Sequence, residues 1–251
     1  MTFEELKSFL DQKFEQYNHP DFIQTDPIQL VHHFNKKEDQ EITGLLISTI
    51  AWGNRTMIIR SGEKLIKLMG NNPYEFIMNY ETSDSLEFVH RTFNKTDLDF
   101  FFRGLQYIYR NGGLENSFST HPEYPGVQGR IHNFREMMKK VDYENRSLKH
   151  ISDPTRNSAS KRLNMFLRWM VRDDKQGVDL GLWKSIPTSE LMLPLDVHTG
   201  NIARALGILT RKQNDWKALE EVMSTLRQFD SNDPVKYDFA LFGLGAFENF
   251  Q

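Results

Sequence analysis

The chain contains no cysteine. That excludes disulfides, thiolate zinc sites and iron–sulfur clusters. No apolar run reaches the roughly 18 residues that a membrane span requires, so no membrane association is expected. The first residues, MTFEELKSFLDQKFEQY, are acidic and amphipathic and lack the apolar core of a signal peptide. An intracellular, cytoplasmic protein is the simplest expectation. The histidines form no zinc-helix spacing: His32 and His33 are adjacent and the others are scattered. There is no G-x-S-x-G elbow, no Walker A loop and no dinucleotide-binding loop, so neither a metal nor a nucleotide cofactor is expected. No stretch alternates convincingly enough for a sheet, and no internal repeat or low-complexity linker occurs.

What is present is a folding composition. Of 251 residues, 39% are hydrophobic and 19 are Phe. Net charge is −3, which argues globally against a nucleic-acid protein. The distribution argues otherwise. From Arg146 to Lys175 there are eight Arg or Lys against three Asp, a net of +5, so the remainder carries −8. A basic patch on an acidic body can hold a phosphate backbone. Basic side chains coating an amphipathic helix give the same count.

Helical signals dominate. Thr2 and Glu5 have capping-box spacing, with Phe3, Leu6, Phe9, Leu10 and Phe14 at helical spacing behind them. Asp26-Pro27 reads as N-cap and first helical residue. A long helical region over 41–70 is interrupted near Gly53. Thr96 and Asp99 approximate a capping box before the helix 100–110, which Asn111-Gly112-Gly113 ends. Further helices are expected over 131–141, 161–172, 198–209, 215–229 and 234–247. The fold class is all-α, with about ten helices.

Two positions carry candidate chemistry. In 194-PLDVHTGNIARALGI-208, Asp196 precedes a helical pattern and can accept first-turn N–H groups. Capping alone accounts for an aspartate there; a carboxylate fixed for chemistry is the second reading. Lys161 and Arg162 open the helix after Asn157-Ser158-Ala159-Ser160, with Ser158 or Ser160 as its cap. A first-turn lysine opposes the helix dipole, so it adds little to stability and can instead serve a phosphate or act as an amine. The steps Ala51-Trp52-Gly53-Asn54-Arg55 group an aromatic, a flexible point, an amide and a base. They suit a cleft lining or a packed kink equally.

The stretch 194–208 resembles the segment after the hairpin in the helix-hairpin-helix DNA glycosylase superfamily, with Asp196, His198 and Arg204 on its pattern. The segment 234-PVKYDFALFGLGAF-247 resembles that superfamily's late helix, and 42-ITGLLISTIAWGNRT-56 its first barrel helix and polar tip. The whole chain is similar to an uncharacterised bacterial family grouped with these enzymes. The 35 residues from Lys161 to Asp196 resemble the enlarged interval of an archaeal branch specific for 8-oxoguanine. The two close glycines usual before the lysine are absent; Thr155 to Ser160 stand there instead.

The resemblance implies a two-lobed all-α fold with a central cleft. It implies an N-terminal helix region over 1–38 packing with the C-terminal lobe, a helical barrel lobe with a modified hairpin over 39–193, and a C-terminal lobe over 194–251. It implies a DNA base-excision repair glycosylase with AP lyase activity, acting on a damaged base such as an oxidised purine in double-stranded DNA, and associated with the bacterial nucleoid when bound. Lys161 would be the Schiff-base lysine and Asp196 the stabilising carboxylate, with Arg156 and Arg162 favouring the neutral amine. Arg156, Ser158, Ser160, Arg162, Asn54, Arg55 and His198 would contact DNA, and Trp52 would wall the base pocket. No cofactor, metal or iron–sulfur cluster is implied. The other reading is a non-catalytic DNA- or RNA-binding helical module.

Overall fold

The computed structural model describes every residue except Asn249 and Gln251. Among the described residues there are twelve α-helices: α1 (Phe3–Tyr17), α2 (Asp21–Thr25), α3 (Lys37–Ile50), α4 (Arg55–Leu68), α5 (Pro73–Met78), α6 (Lys95–Arg110), α7 (Leu114–Ser117), α8 (Gly126–Met138), α9 (Lys161–Val171), α10 (Val197–Ala205), α11 (Trp216–Phe229) and α12 (Tyr237–Phe247). The protein is all-α but for one two-residue antiparallel pair, β1 (Val89–His90) with β2 (Phe93–Asn94), too short for an alternating pattern to show in the sequence. No described helix is long and apolar enough to cross a membrane.

The chain forms two compact units. One is Thr25–Thr155; the other joins Met1–Gln24 to Arg156–Gln251. These divisions fall at 24/25 and 155/156, whereas the sequence suggested 38/39 and 193/194.

The unit 25–155 is built around α3. Every residue from Gln40 to Ile50 is buried, the pattern of a helix packed on all sides. Its one buried acid, Glu41, accepts a 2.7 Å hydrogen bond from the Tyr109 hydroxyl and lies 3.8 Å from Lys37 Nζ, so the buried charge is both hydrogen-bonded and paired. The helical pattern over 41–70 breaks at Ala51–Asn54, between α3 and α4. Gly53 sits there at φ +106, and a Cβ on it would lie 2.5 Å from Arg91 Nη1, so the break requires glycine. Asn54 then caps α4 by accepting the Met57 amide.

Helix α6 begins five residues before the expected Phe100. Its cap is Asn94, in a reciprocal capping box with Asp97, and not Thr96. Asp97 outcompetes Asp99 because it is fully buried and also accepts from the Ser147 hydroxyl at 2.7 Å and Arg146 Nη1 at 3.1 Å. The earlier start lets Phe100, Phe101 and Phe102 all reach the core.

In the second unit, α1 packs along α12, and α12 packs on α10. The Thr2–Glu5 capping box starts α1, which buries Leu6 and Leu10. Each such leucine contributes about 2 kcal/mol of burial. Gly243 of α12 is where the two helices touch: a Cβ there would lie 2.1 Å from Tyr17 Cδ2.

Candidate functional site

Helix α9 carries two different faces. Leu163, Phe166, Leu167 and Met170 are buried apolar residues. Lys161, Arg168 and Arg172 recur at the i, i+7, i+11 spacing that puts them on one polar strip. Entry into α9 is unusual. Asn157 and Ser160 both have left-handed backbones, at φ 66 and φ 46. Neither serine caps the helix as expected. Ser160 is at the cap position but makes no side-chain cap bond, because its left-handed backbone turns the hydroxyl back to the Ser158 carbonyl. The Ser158 hydroxyl accepts the Ser160 amide.

Helix α10 starts as the sequence indicates. Asp196 is its N-cap, and Oδ1 accepts the Thr199 amide at 2.8 Å. The second oxygen, Oδ2, accepts from Lys161 Nζ at 2.9 Å. Both residues lie in the unit of Met1–Gln24 and Arg156–Gln251. Burial resists ionisation of Asp196, but the adjacent Lys161 charge, its hydrogen bond and the Thr199 amide outweigh burial and hold the carboxyl below its usual range. Lys161 keeps 37% of its side-chain surface exposed. In the resting protein the amine is engaged as an ion-pair donor. Its partner is this carboxylate.

The other expected residues divide between the units. Arg156 is exposed, Ser158 is half-buried and Ser160 is buried, all in the loop entering α9. Burial pushes the Arg162 guanidinium down to about 10. His198 is exposed on the first turn of α10. Trp52, Asn54 and Arg55 belong to the other unit. There Asn54 is spent partly on capping α4. The half-buried Trp52 ring stacks on His150 with centroids 5.8 Å apart and meets the edge of His90 at 5.2 Å. Two open grooves in this unit, of about 880 and 590 Å³, share Leu68, Leu86 and Glu87, and Trp52 lines neither. Among the described residues no group of three or more His, Asp or Glu side chains could hold a metal ion.

A family model matches residues 26–247, most of the chain. The chain belongs to the family described as Protein of unknown function (DUF2400). No curated protein and no solved structure matches this DUF2400 chain.

Behind the Lys161–Asp196 pair lies an ionic network without any sequence signature. Arg168 Nε donates to Asp179 at 3.2 Å, and Nη1 donates to Asp238. Arg172 donates to Asp179 at 3.0 Å and to Asp233 at 2.9 Å. Asp179 has no exposed side-chain surface. Charges this deep persist only when paired. Asp238 is the most perturbed: burial pushes its carboxyl up to about 6, Arg168 opposes that rise, and the negative charges of Asp196 and Asp179 add to it. The Lys161 charge opposes that rise as well. The regular i, i+4 spacing of Arg168 and Arg172 was the only hint in the sequence, and it does not identify their partners.

Proposed function

We propose that this protein is a DNA base-excision glycosylase with lyase capability, its chemistry centred on Lys161 and Asp196. The observation that carries the reading is the 2.9 Å contact between the amine of a partly exposed lysine and a carboxylate held at a helix start. Removal of a base leaves the sugar C1′ electron-poor. An amine attacking C1′ forms a C–N bond as the base departs with the bonding pair, and ring opening gives a Schiff base. Lys161 must first lose a proton, and Asp196 is the acceptor already in place. Asp196 passes that proton to the departing base, which leaves neutral, and the carboxylate, ionised again, stabilises positive charge developing on the sugar. The reading includes the two-lobed helix-hairpin-helix architecture, DNA contacts from Arg156, Ser158, Ser160, Arg162, Asn54, Arg55 and His198, a base-pocket wall at Trp52, an oxidised purine as the lesion, and a cytoplasmic site of action.

The test is covalent trapping. Duplexes carrying 8-oxoguanine, an oxidised pyrimidine, uracil or an abasic site are incubated with the protein and reduced with borohydride. The expected result is a protein–DNA adduct that disappears in Lys161→Ala and persists in Lys175→Ala, since Lys175 is an exposed lysine of the same basic stretch. Tight duplex binding with neither adduct nor base release on any lesion overturns the reading in favour of a non-catalytic nucleic-acid-binding module. Absence of binding even at low salt overturns both.

A further inference from the structure

We infer that Asn214 and Asp215 are positioning residues, two neighbours in one loop that hold the backbones of Asp196 and of the segment entering Lys161 in register. Their purpose rests on the proposed glycosylase reading; the geometry stands without it.

Lys161 and Asp196 meet across 35 residues of chain. A 2.9 Å contact at such separation needs both backbones fixed, because side-chain freedom alone would let the pair drift. The structure shows what fixes each. On the Asp196 side, Asn214 Nδ2 donates to the Asp196 carbonyl at 2.8 Å. Asn214 Oδ1 in turn accepts from Arg204 Nη2 at 2.6 Å, and Arg204 also donates to the carbonyls of Arg211 and Lys212, each at 2.9 Å. The amide thus ties the start of α10 to its last turn and to the 211–214 loop.

On the Lys161 side the next residue takes over. Asp215 forms an isolated antiparallel bridge with Ser158. Its Oδ2 accepts from Asn157 Nδ2 at 2.9 Å, and the Trp216 amide donates to the Asn157 carbonyl at 3.1 Å. These bonds fix Asn157 in the left-handed conformation that asparagine adopts more readily than other L residues. Arg211 Nε secures Asp215 Oδ1 at 2.7 Å.

Helix capping does not account for this arrangement. Asp215 caps α11 with Oδ1, through the Ala218 amide, and that leaves Oδ2 for Asn157. The Asn214 side chain caps nothing in α11. Gly200 completes the case. A Cβ on it would lie 2.6 Å from Asn214 Oδ1 and 2.8 Å from Nδ2, so only glycine lets the amide lie against α10.

The experiment uses the full chain and two independent variants, Asn214→Ala and Gly200→Ala. The second displaces the amide without removing it and alters no charge. Lysine acylation by an amine-reactive ester is read residue by residue by mass spectrometry, with exposed Lys175 as internal reference. A loosened pair exposes the Lys161 amine, so its labelling relative to Lys175 should rise at least about 5-fold in both variants, an order-of-magnitude expectation for loss of a local closed state. Unchanged Lys161 labelling in variants that retain the wild-type circular dichroism overturns the inference. Borohydride trapping supplies the second readout. At saturating duplex the trapping rate should fall at least about 10-fold, because misplacement costs the reacting step, while duplex Kd stays within 2-fold. A Kd that weakens as much as the trapping rate falls assigns Asn214 to DNA binding and overturns positioning. Raised Lys161 labelling with no adduct from the wild type on any lesion keeps the register role and rejects the glycosylase reading.

Discussion

Asp196 gives each carboxylate oxygen a separate partner: Oδ1 takes the Thr199 amide at 2.8 Å and Oδ2 takes Lys161 at 2.9 Å. The cap therefore orients the acid, and the lysine comes to a carboxylate that is already fixed. Structural and chemical accounts of this aspartate are compatible, since a cap that spends one oxygen leaves the other directed at the amine. Exposed ion pairs between two mobile side chains contribute little to stability. Here only the lysine is mobile.

Replacing Asp196 separates its two roles. Asp196→Asn keeps a good N-cap and loses the charge; Asp196→Ala loses both and should cost about 1 kcal/mol more, the usual value of a cap. The folded-state carboxyl is held below its usual 3.8, so its stabilisation is fully present above that value and is lost as pH falls through the folded-state value. Urea unfolding between pH 7 and pH 3 should show wild type and Asp196→Asn converging at the acid end. A constant gap across that range contradicts the assignment.

Arg168 holds two buried carboxylates, Asp179 and Asp238. Arg168→Met removes the ion-pair partner of Asp238, leaves Asp179 with Arg172 alone, and should destabilise by about 3–5 kcal/mol. Adding Asp238→Asn should recover part of the loss, with a coupling energy of about 1–3 kcal/mol in a double-mutant cycle. Asp238 has its own pH signature. Its carboxyl is raised from 3.8 to about 6, so its favourable contribution is complete below 3.8 and is lost as pH rises through about 6. Asp238→Asn should flatten stability over that window.

Gly243→Ala tests the contact of α1 with α12. The added methyl would overlap the Tyr17 ring, which is held by stacking on Phe247 at 5.6 Å and by a hydroxyl bond to Glu248. Overpacking of this kind costs about 1–3 kcal/mol. The urea midpoint should fall, and Tyr17→Ala in the same chain should relieve the clash.

His90 lies under Trp52. Its Nδ1 pairs with the Ser61 hydroxyl at 2.9 Å. Burial pulls its pKa below 6.5, with the Arg91 charge adding and the Trp52 carbonyl opposing. A depressed folded-state value means stability present above 6.5 and lost as pH falls through the folded value. His90→Asn retains a polar atom near Nδ1 and should lose less stability than wild type between pH 7 and pH 5. Trp52 fluorescence, isolated by subtracting a Trp52→Phe control, should shift less with pH in His90→Asn than in the wild type, His150 being the second imidazole against the ring.

Local signals carried the helices well. The Thr2–Glu5 box, the Asp26-Pro27 start, the Asp196 cap and the interruption near Gly53 are all determined within a few residues, and the sequence displays them. Errors arose where a distant partner decided the outcome. Asn94 starts α6 because Asp97 is buried under Arg146 and Ser147, some 50 residues away. Ser160 fails as a cap because its own left-handed backbone turns the hydroxyl to the Ser158 carbonyl, in a segment that bridges to Asp215. The approach of Lys161 to Asp196 was indicated only by the resemblance; no spacing implies it. Asn214 left no trace at all, since a loop amide is unremarkable until the carbonyl it holds is known.

The unit of α1 and α12 is assembled from the two ends of the chain, with Thr25–Thr155 between them. Synthesis from the N-terminus therefore makes α1 more than 200 residues before its partner. Leu6 and Leu10 lack the α12 surface they pack on while the whole intervening unit emerges. A nascent chain of intermediate length therefore carries an amphipathic helix with its apolar stripe uncovered, which is the kind of species chaperones bind and proteases remove.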